Sequence, residues 1–217
     1  MRIGESEMYS IKRILILAPH TDDGELGCGG SIVRFIEEGK DVYYVAFSTA
    51  EDSVPSGFPK NILELEVRKA TKILGIEESN LIVYKYQVRK LNYIRQEILE
   101  ELVKIKKDVN PDLVFIPSTN DLHQDHQTVA MEGMRAFKQI SILGYELPWN
   151  NITFTTQAFI KLDKRHILKK IEALKAYESQ AGRNYMTDEF IMGLAKTRGV
   201  QIGVEYAETF EVIRWVF

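Results

Sequence analysis

Apolar runs of strand length alternate with longer segments of helical periodicity over the first 140 residues. The run from Ile14 to Ala18 is bounded by polar residues and suits a strand that is buried on both faces. Segment 31–38 follows with apolar residues at helical spacing and ends before Gly39. Between them, the glycines at 27, 29 and 30 predict a tight turn into that helix.

This alternation continues along the chain. We predict further strands over 42–47, 81–86 and 113–116, and helices over 62–74, 93–107 and about 126–137. Repeated strand–helix units are typical of an α/β fold. We therefore predict a Rossmann-like, largely parallel sheet of strand order 3-2-1-4-5 with helices on both faces.

The pattern changes after residue 140. We predict another strand over 152–160, helices over 164–177 and 189–196, and a terminal strand or extended cap over 206–217. The chain has no internal repeat, low-complexity tract or linker, so we expect residues 1–217 to form a single domain.

Composition narrows the class of protein. The 217 residues carry 28 Lys and Arg against 31 Asp and Glu, a net charge of −3, which argues against nucleic-acid binding. The single cysteine, Cys28, excludes a disulfide framework within the chain. No apolar run approaches the roughly 20 residues of a membrane span, and no apolar stretch precedes Lys12 and Arg13 as in a secretory signal. We therefore expect a soluble, cytoplasmic protein.

Two polar segments follow predicted strands. The segment 19–30, PHTDDGELGCGG, follows the first strand, and the segment 120–126, NDLHQDH, comes shortly after the fourth. In the order 3-2-1-4-5 these strands are neighbours, and ligands bind in the crevice at their carboxyl ends. We expect the two segments to face each other across that crevice.

These segments contain three of the four histidines of the chain, together with several aspartates. Two imidazoles and one carboxylate make a suitable catalytic zinc site, because three protein ligands leave a fourth position for water. Iron accepts the same ligands, so the residues leave Zn²⁺ and Fe²⁺ both open. One aspartate and one histidine remain to act as a base and as an oxyanion partner.

The two motifs resemble those of the LmbE-like, or PIG-L, deacetylases, which are zinc-dependent hydrolases of N-acetylglucosaminyl compounds. The family motif (A/P)HPDDE is similar to the segment 18–25, and its HxDH motif is similar to 123–126. The closing segment 198–210 is similar to the family's RGxxxGxxYAExF ending. With segment 170–180, the resemblance extends over nearly the whole chain.

The resemblance implies a role for each motif residue. Three residues match the metal ligands: His20, Asp23 and His126. Asp22 matches the general base that deprotonates the attacking water. His123 matches the histidine that, when protonated, stabilises the oxyanion or donates to the leaving amine, and Asp125 matches its orienting partner.

The resemblance also implies the reaction and its substrate. We expect removal of the N-acetyl group from a small molecule, an N-acetylglucosamine-type sugar or sugar conjugate. The resemblance also implies a homo-oligomer. Two alternatives stay open. One is a sugar-binding or regulatory protein that keeps the metal site without turnover, and the other is a non-haem iron oxygenase.

The sequence departs from the family pattern at four positions. Thr21 replaces the usual proline and Gly24 precedes Glu25, which predicts a less rigid backbone after the first ligand. Leu63 stands where many relatives have an arginine that helps to hold the sugar. Asp121 replaces a tyrosine that assists the oxyanion in some relatives. These departures leave the substrate open.

Several of these residues also have a purely structural interpretation. Asp22 and Asp125 are of a type favoured at helix N-caps. We expect His166 on the surface, and we expect Arg198 and Glu208 either to line the pocket or to serve the fold.

Overall fold

The computed structural model describes residues 11–216, in which seven strands form one sheet. The strands are β1 (Arg13–His20), β2 (Asp41–Ser48), β3 (Leu81–Val83), β4 (Leu113–Pro117), β5 (Ser141–Tyr145), β6 (Ala158–Leu162) and β7 (Tyr206–Arg214). Their order across the sheet is β3-β2-β1-β4-β5-β7-β6. Strands β1 to β5 pair in parallel, whereas β7 runs antiparallel to both β5 and β6. The α/β class, the mostly parallel sheet and the order of its first four strands are confirmed.

The predicted fifth strand was wrong in position. The strand beside β4 is Ser141–Tyr145, which the sequence analysis missed, and the strand predicted over 152–160 is instead Ala158–Leu162, at the far edge of the sheet. The run SILGY is short and contains a glycine, so it has few features of a strand by itself. Pairing with β4 on one side and β7 on the other stabilises it.

Six helices cover the sheet in the described range. They are α1 (Asp23–Glu37), α2 (Ile62–Leu74), α3 (Arg95–Val109), α4 (Gln124–Ala136), α5 (Lys164–Leu174) and α6 (Asp188–Gln201). None of them is both long and apolar enough to cross a bilayer.

The first helix begins earlier than predicted, at Asp23 rather than at residue 31. It continues through the glycine-rich segment with one kink at Cys28, where φ is −145°. The expected tight turn is therefore absent, and these glycines instead allow close packing. A Cβ atom on Gly27 would lie 2.3 Å from Cδ2 of Tyr145, so a side chain there is sterically excluded.

Two apolar clusters occupy the two faces of the sheet. Alternate residues of β1 divide between them, with Ile14, Ile16 and Ala18 facing α1, α2 and α5, and Leu15 and Leu17 facing α3 and α4. All five side chains are fully buried. This explains why β1 reads as one continuous apolar run, and it leaves its carboxyl end as the place where polar groups emerge.

A buried ion pair joins three elements beneath the kinked helix. The Glu208 carboxylate on β7 accepts hydrogen bonds from the amides of Gly30 (3.0 Å) and Ser31 (2.7 Å) and from Nζ of Lys170 (2.7 Å). Both charged side chains are less than one tenth exposed. Glu208 therefore serves the fold.

His166 is buried, which corrects the expectation of a surface histidine. Its Nδ1 accepts a hydrogen bond from the backbone amide of Asp163 at the start of α5 (2.9 Å), and its Nε2 lies 3.0 Å from Oε2 of Glu37. The ring joins the end of α1 to the start of α5.

We expect Glu208→Ala to lower the free energy of unfolding by about 3–5 kcal/mol, because the buried ammonium of Lys170 would lose its counter-ion and keep only its hydrogen bond to the Leu26 carbonyl. The exposed pair Arg34–Glu38 provides the matched control, and Glu38→Ala should cost less than about 1 kcal/mol. Urea denaturation measures both. Equal effects of the two substitutions would contradict the structural role of Glu208.

Candidate metal centre and active site

The carboxyl ends of β1 and β4 bring the two polar segments together, as the topology predicts. His20 is the last residue of β1, and Asp23 begins α1. His123 is the N-cap of α4, and His126 lies in the first turn of that helix. Because β1 and β4 are adjacent parallel strands, the four side chains meet at one edge of the sheet.

Three ligand-type atoms form a nearly equilateral triangle. His20 Nδ1 lies 3.2 Å from Asp23 Oδ2, His126 Nε2 lies 3.2 Å from the same oxygen, and the two nitrogens are 3.2 Å apart. A tetrahedral ion with ligand bonds of about 2.0–2.1 Å needs its ligand atoms roughly 3.3 Å apart. The spacing and the donor set therefore fit one four-coordinate divalent metal ion, with one position left for another ligand.

His20 and His126 each contact a buried carboxylate through the ring nitrogen that is not part of the triangle. Asp125 Oδ2 lies 3.0 Å from His20 Nε2, and Asp121 Oδ2 lies 2.8 Å from His126 Nδ1. Both aspartates are at most 1% exposed. Such outer carboxylates fix the tautomer and orientation of ligating imidazoles. They therefore direct His20 Nδ1 and His126 Nε2 toward the triangle.

The structure places the Asp125 carboxylate against His20, whereas the resemblance implies that Asp125 orients His123. Its carboxylate contacts His20, and only its backbone amide reaches His123, donating to Nδ1 over 3.1 Å. Asp125 is also not the N-cap of α4, because His123 occupies that position. Asp121, noted in the sequence only as a replacement for tyrosine, is the partner of His126.

The electrostatics of the cluster favour positive charge. Burial by itself lowers the pKa of His20, but hydrogen bonds with Asp125 and Asp23 outweigh it and raise that pKa to about 9. Burial is likewise outweighed at His126, where Asp23 and Asp121 raise the pKa to about 10. Conversely, His126 and His20 hold the pKa of Asp23 well below its usual range, despite burial. A field that stabilises imidazolium here also stabilises a metal cation.

Asp22 lies beside the triangle and lines the same pocket. It occupies the N-cap position of α1, but its side chain makes no capping hydrogen bond. Burial and the neighbouring Asp23 raise the pKa of Asp22 to about 6. A carboxylate with a raised pKa, not engaged in capping, is suited to accept a proton near neutral pH.

His123 presents its second nitrogen to the pocket. Because Nδ1 accepts the amide hydrogen of Asp125, the proton of the neutral ring lies on Nε2. Burial and the nearby His126 lower the pKa of His123 to about 4, so the neutral donor form is favoured over the protonated form that the resemblance implies. One nitrogen of His123 comes within 4.8 Å of ligand atoms of His20 and His126. The triangle with Asp23 is tighter, so we propose that triangle as the metal position.

Two tyrosines contact the turn that contains Thr21 and Gly24. The carbonyl of Thr21 accepts hydrogen bonds from the hydroxyls of Tyr44 (2.9 Å) and Tyr177 (2.7 Å), which hold the turn after His20. A Cβ atom on Gly24 would lie 2.5 Å from Cε2 of Tyr44, so that ring requires glycine there. The structure therefore supplies contacts that hold this segment, against the expectation of a less rigid backbone.

Both tyrosine hydroxyls also contact the buried carboxyl group of Glu25. Burial raises the pKa of Glu25 to about 8 even though these hydrogen bonds lower it. Glu25 is completely buried and lies behind the turn, so its contacts are with the protein interior.

The metal triangle opens into a cavity of about 240 Å³. Leu63 of α2 lines one part of it, and Trp149, Arg183 and Tyr185 line another. These last three residues were not identified from the sequence, because their segments carry no metal-binding motif. A larger cavity of about 760 Å³ lies between α1 and α5, away from the triangle, and its wall mixes acidic and basic side chains.

We expect Asp121→Asn to weaken Zn²⁺ binding about 10- to 100-fold, because the amide no longer stabilises the His126 ring as a carboxylate does. Competition against a chromogenic chelator measures this affinity. Asp108→Asn, an exposed change on α3, is the matched control and should leave the affinity unchanged. Unchanged affinity in Asp121→Asn would argue against the assigned triangle.

Comparison with known proteins places this architecture in a family. The family described as PIG-L: GlcNAc-PI de-N-acetylase matches residues 15–137. A relative from Escherichia coli K12, named uncharacterized deacetylase YaiS, is 32% identical over 174 residues, covering 77% of this chain and 91% of the relative. The diacetylchitobiose deacetylase of Thermococcus kodakarensis is 23% identical over 230 residues, covering 95% of this chain and 85% of that protein.

The similarity extends to three-dimensional structure. The crystal structure of the conserved protein TT1542 from Thermus thermophilus has a TM-score of 0.80 to this chain at 25% identity, covering 96% of this chain and 97% of that one. The family match spans more than half of the chain and includes both motifs that build the triangle. The chain belongs to the PIG-L (LmbE-like) deacetylase family.

Proposed function

We propose that this protein is a metal-dependent hydrolase that removes the N-acetyl group from an N-acetylglucosamine-type sugar or sugar conjugate. The observation that carries the proposal is the triangle of His20, Asp23 and His126 atoms at 3.2 Å spacing, with Asp22 and His123 lining the same pocket. Membership of a deacetylase family supports amide hydrolysis as the reaction. A relative named for diacetylchitobiose supports an acetamido sugar as the substrate.

His20, Asp23 and His126 would hold the metal ion, for which we propose Zn²⁺ with Fe²⁺ as the alternative. A divalent ion at this position supplies Lewis acidity toward a carbonyl oxygen and makes water more acidic. Asp121 and Asp125 serve as positioning residues, because they orient the two ligating imidazoles.

Asp22 acts as the general base in this proposal. It accepts a proton from the water that attacks the acetyl carbon, and its raised pKa places it close to the range in which a base is effective. The C–N bond then breaks, the proton passes to the amine nitrogen, and the products are acetate and the free amino sugar.

His123 stabilises the negative charge that develops on the acetyl oxygen. Its Nε2 carries the proton of the neutral ring, so it donates a hydrogen bond to that oxygen without a change of protonation state. Its Nδ1 is fixed by the amide of Asp125, which sets the direction of the donor. The single-domain organisation, the cytoplasmic location and a homo-oligomeric state stay predictions.

We expect Asp22→Ala to keep one bound metal ion per chain and to lose activity by about 10²- to 10⁴-fold, because the base is removed but no ligand is. Metal content by elemental analysis and acetate release from N-acetylglucosamine conjugates measure the two properties. Asp41→Ala, at the exposed start of β2, is the control and should retain both.

Full activity of Asp22→Ala would contradict the proposed mechanism. A wild-type protein that binds the metal and the sugar but releases no acetate would instead support the sugar-binding alternative. Oxygen consumption with Fe²⁺ and no acetate would support an oxygenase.

A further inference from the structure

One arginine lines the pocket together with the metal triangle. Arg183 is the only Lys or Arg among the residues that form its wall within the described range. Its guanidinium forms no ion pair with a carboxylate in the part of the chain that the structure describes. The guanidinium attracts the Asp22 carboxylate of the same pocket from beyond ion-pair distance, and no described carboxylate contacts it directly.

A chain of hydrogen bonds holds this exposed side chain in place. Arg183 Nε donates to Oε1 of Gln180 (2.6 Å), and Gln180 Nε2 donates to Oγ of Ser179 (3.1 Å). The amide and hydroxyl of Ser179 donate to the buried carboxylate of Glu66 over 2.9 and 2.6 Å. Glu66 belongs to α2, so the position of the guanidinium is fixed from the core of the protein.

Aromatic rings also contact the guanidinium of Arg183 or stack beside it. The guanidinium carbon of Arg183 lies 5.8 Å from the ring centre of Tyr185, within the range of a cation–π interaction. Tyr185 in turn stacks on Trp149, with ring centres 4.0 Å apart and an angle of 10° between the planes. The aromatic pair and Gln180 restrict the side chain, and the N–H donors on its two terminal nitrogens form no ion pair within the described residues.

We infer that Arg183 selects substrates in which the acetamido sugar carries an anionic group, a carboxylate or a phosphate, on its aglycone. This inference rests on the proposed function and specifies its substrate class. The planar guanidinium matches two oxygens of an anion at once, and a group that is already positioned loses little entropy on binding. Leu63 lines the same pocket but carries no charge, although many relatives have an arginine at its position. Recognition of the anion therefore depends on Arg183.

The test uses two matched substrates, the glycolate and the glycolamide β-glycosides of N-acetylglucosamine, which differ only in charge. The metal-loaded wild-type protein should release acetate with a higher kcat/KM from the glycolate. We expect Arg183→Gln to lower kcat/KM for the glycolate about tenfold, mainly through KM, and to change the glycolamide value less than about twofold. N-acetylglucosamine 1-phosphate, assayed in parallel, distinguishes a phosphate preference from a carboxylate preference.

Two further variants separate recognition from folding. Arg183→Lys keeps the charge and should recover part of the preference for the anion. Lys175→Gln removes one exposed positive charge from the same segment, outside the pocket wall, and should leave both values unchanged. Metal content and melting temperature of Arg183→Gln should equal those of the wild type.

The possible outcomes are distinct. Acetate release from both glycosides with equal efficiency, or equal losses for both in Arg183→Gln, overturns the inference and leaves the proposed function intact. The second of these results would mean that Arg183 acts on Asp22 rather than on the substrate. No acetate from any of the three substrates overturns the proposed function, and the inference with it.

Discussion

The carboxylate of Asp125 holds three separate parts of the site. It contacts His20 at the end of β1, and it accepts hydrogen bonds from the backbone amides of Arg89 (2.6 Å) and Leu91 (3.1 Å). Asp125 itself lies in the first turn of α4 and is completely buried. A buried carboxylate needs partners to offset its desolvation, and here those partners are the strand and loop that shape the pocket. The orientation of the first metal-type ligand and the course of the loop before α3 therefore depend on the same group.

Buried hydrogen bonds also fix the turn between His20 and Asp23. The hydroxyls of Tyr44 and Tyr177 both donate to the carbonyl of Thr21, and the Tyr44 ring packs into the space that a side chain on Gly24 would fill. Thr21 and Gly24 look like independent departures in the sequence, but Gly24 and Tyr44 form a matched pair in the structure. The metal-type ligands thus lie on a backbone that is fixed by buried hydrogen bonds on both sides.

In the proposed function, the reaction and the recognition of the substrate depend on different parts of the pocket. The groups suited to amide hydrolysis come from the carboxyl ends of β1 and β4, which the α/β fold brings together. The groups suited to recognition, Arg183, Tyr185 and Trp149, come from irregular segments that reach the same pocket from elsewhere in the chain. Loops vary more easily than the sheet that positions them, so such a division allows one reaction to serve different aglycones.

The sequence by itself determined the α/β class, the order of the first four strands and the meeting of the two motifs, because continuous apolar runs define buried parallel strands and polar groups collect at their ends. Only the tertiary structure decided that β5 lies beside β4, because the short run SILGY becomes a strand through its neighbours. Only the tertiary structure also decided the partners of Asp125 and Asp121, because these depend on how α4 and the loop before it lie against β1. The position of Arg183 was likewise decided by the tertiary structure, because it depends on Glu66 of α2, which is distant from Arg183 in the sequence. Local patterns in a sequence report which face of an element is buried, whereas contacts between distant side chains exist only after the elements have packed.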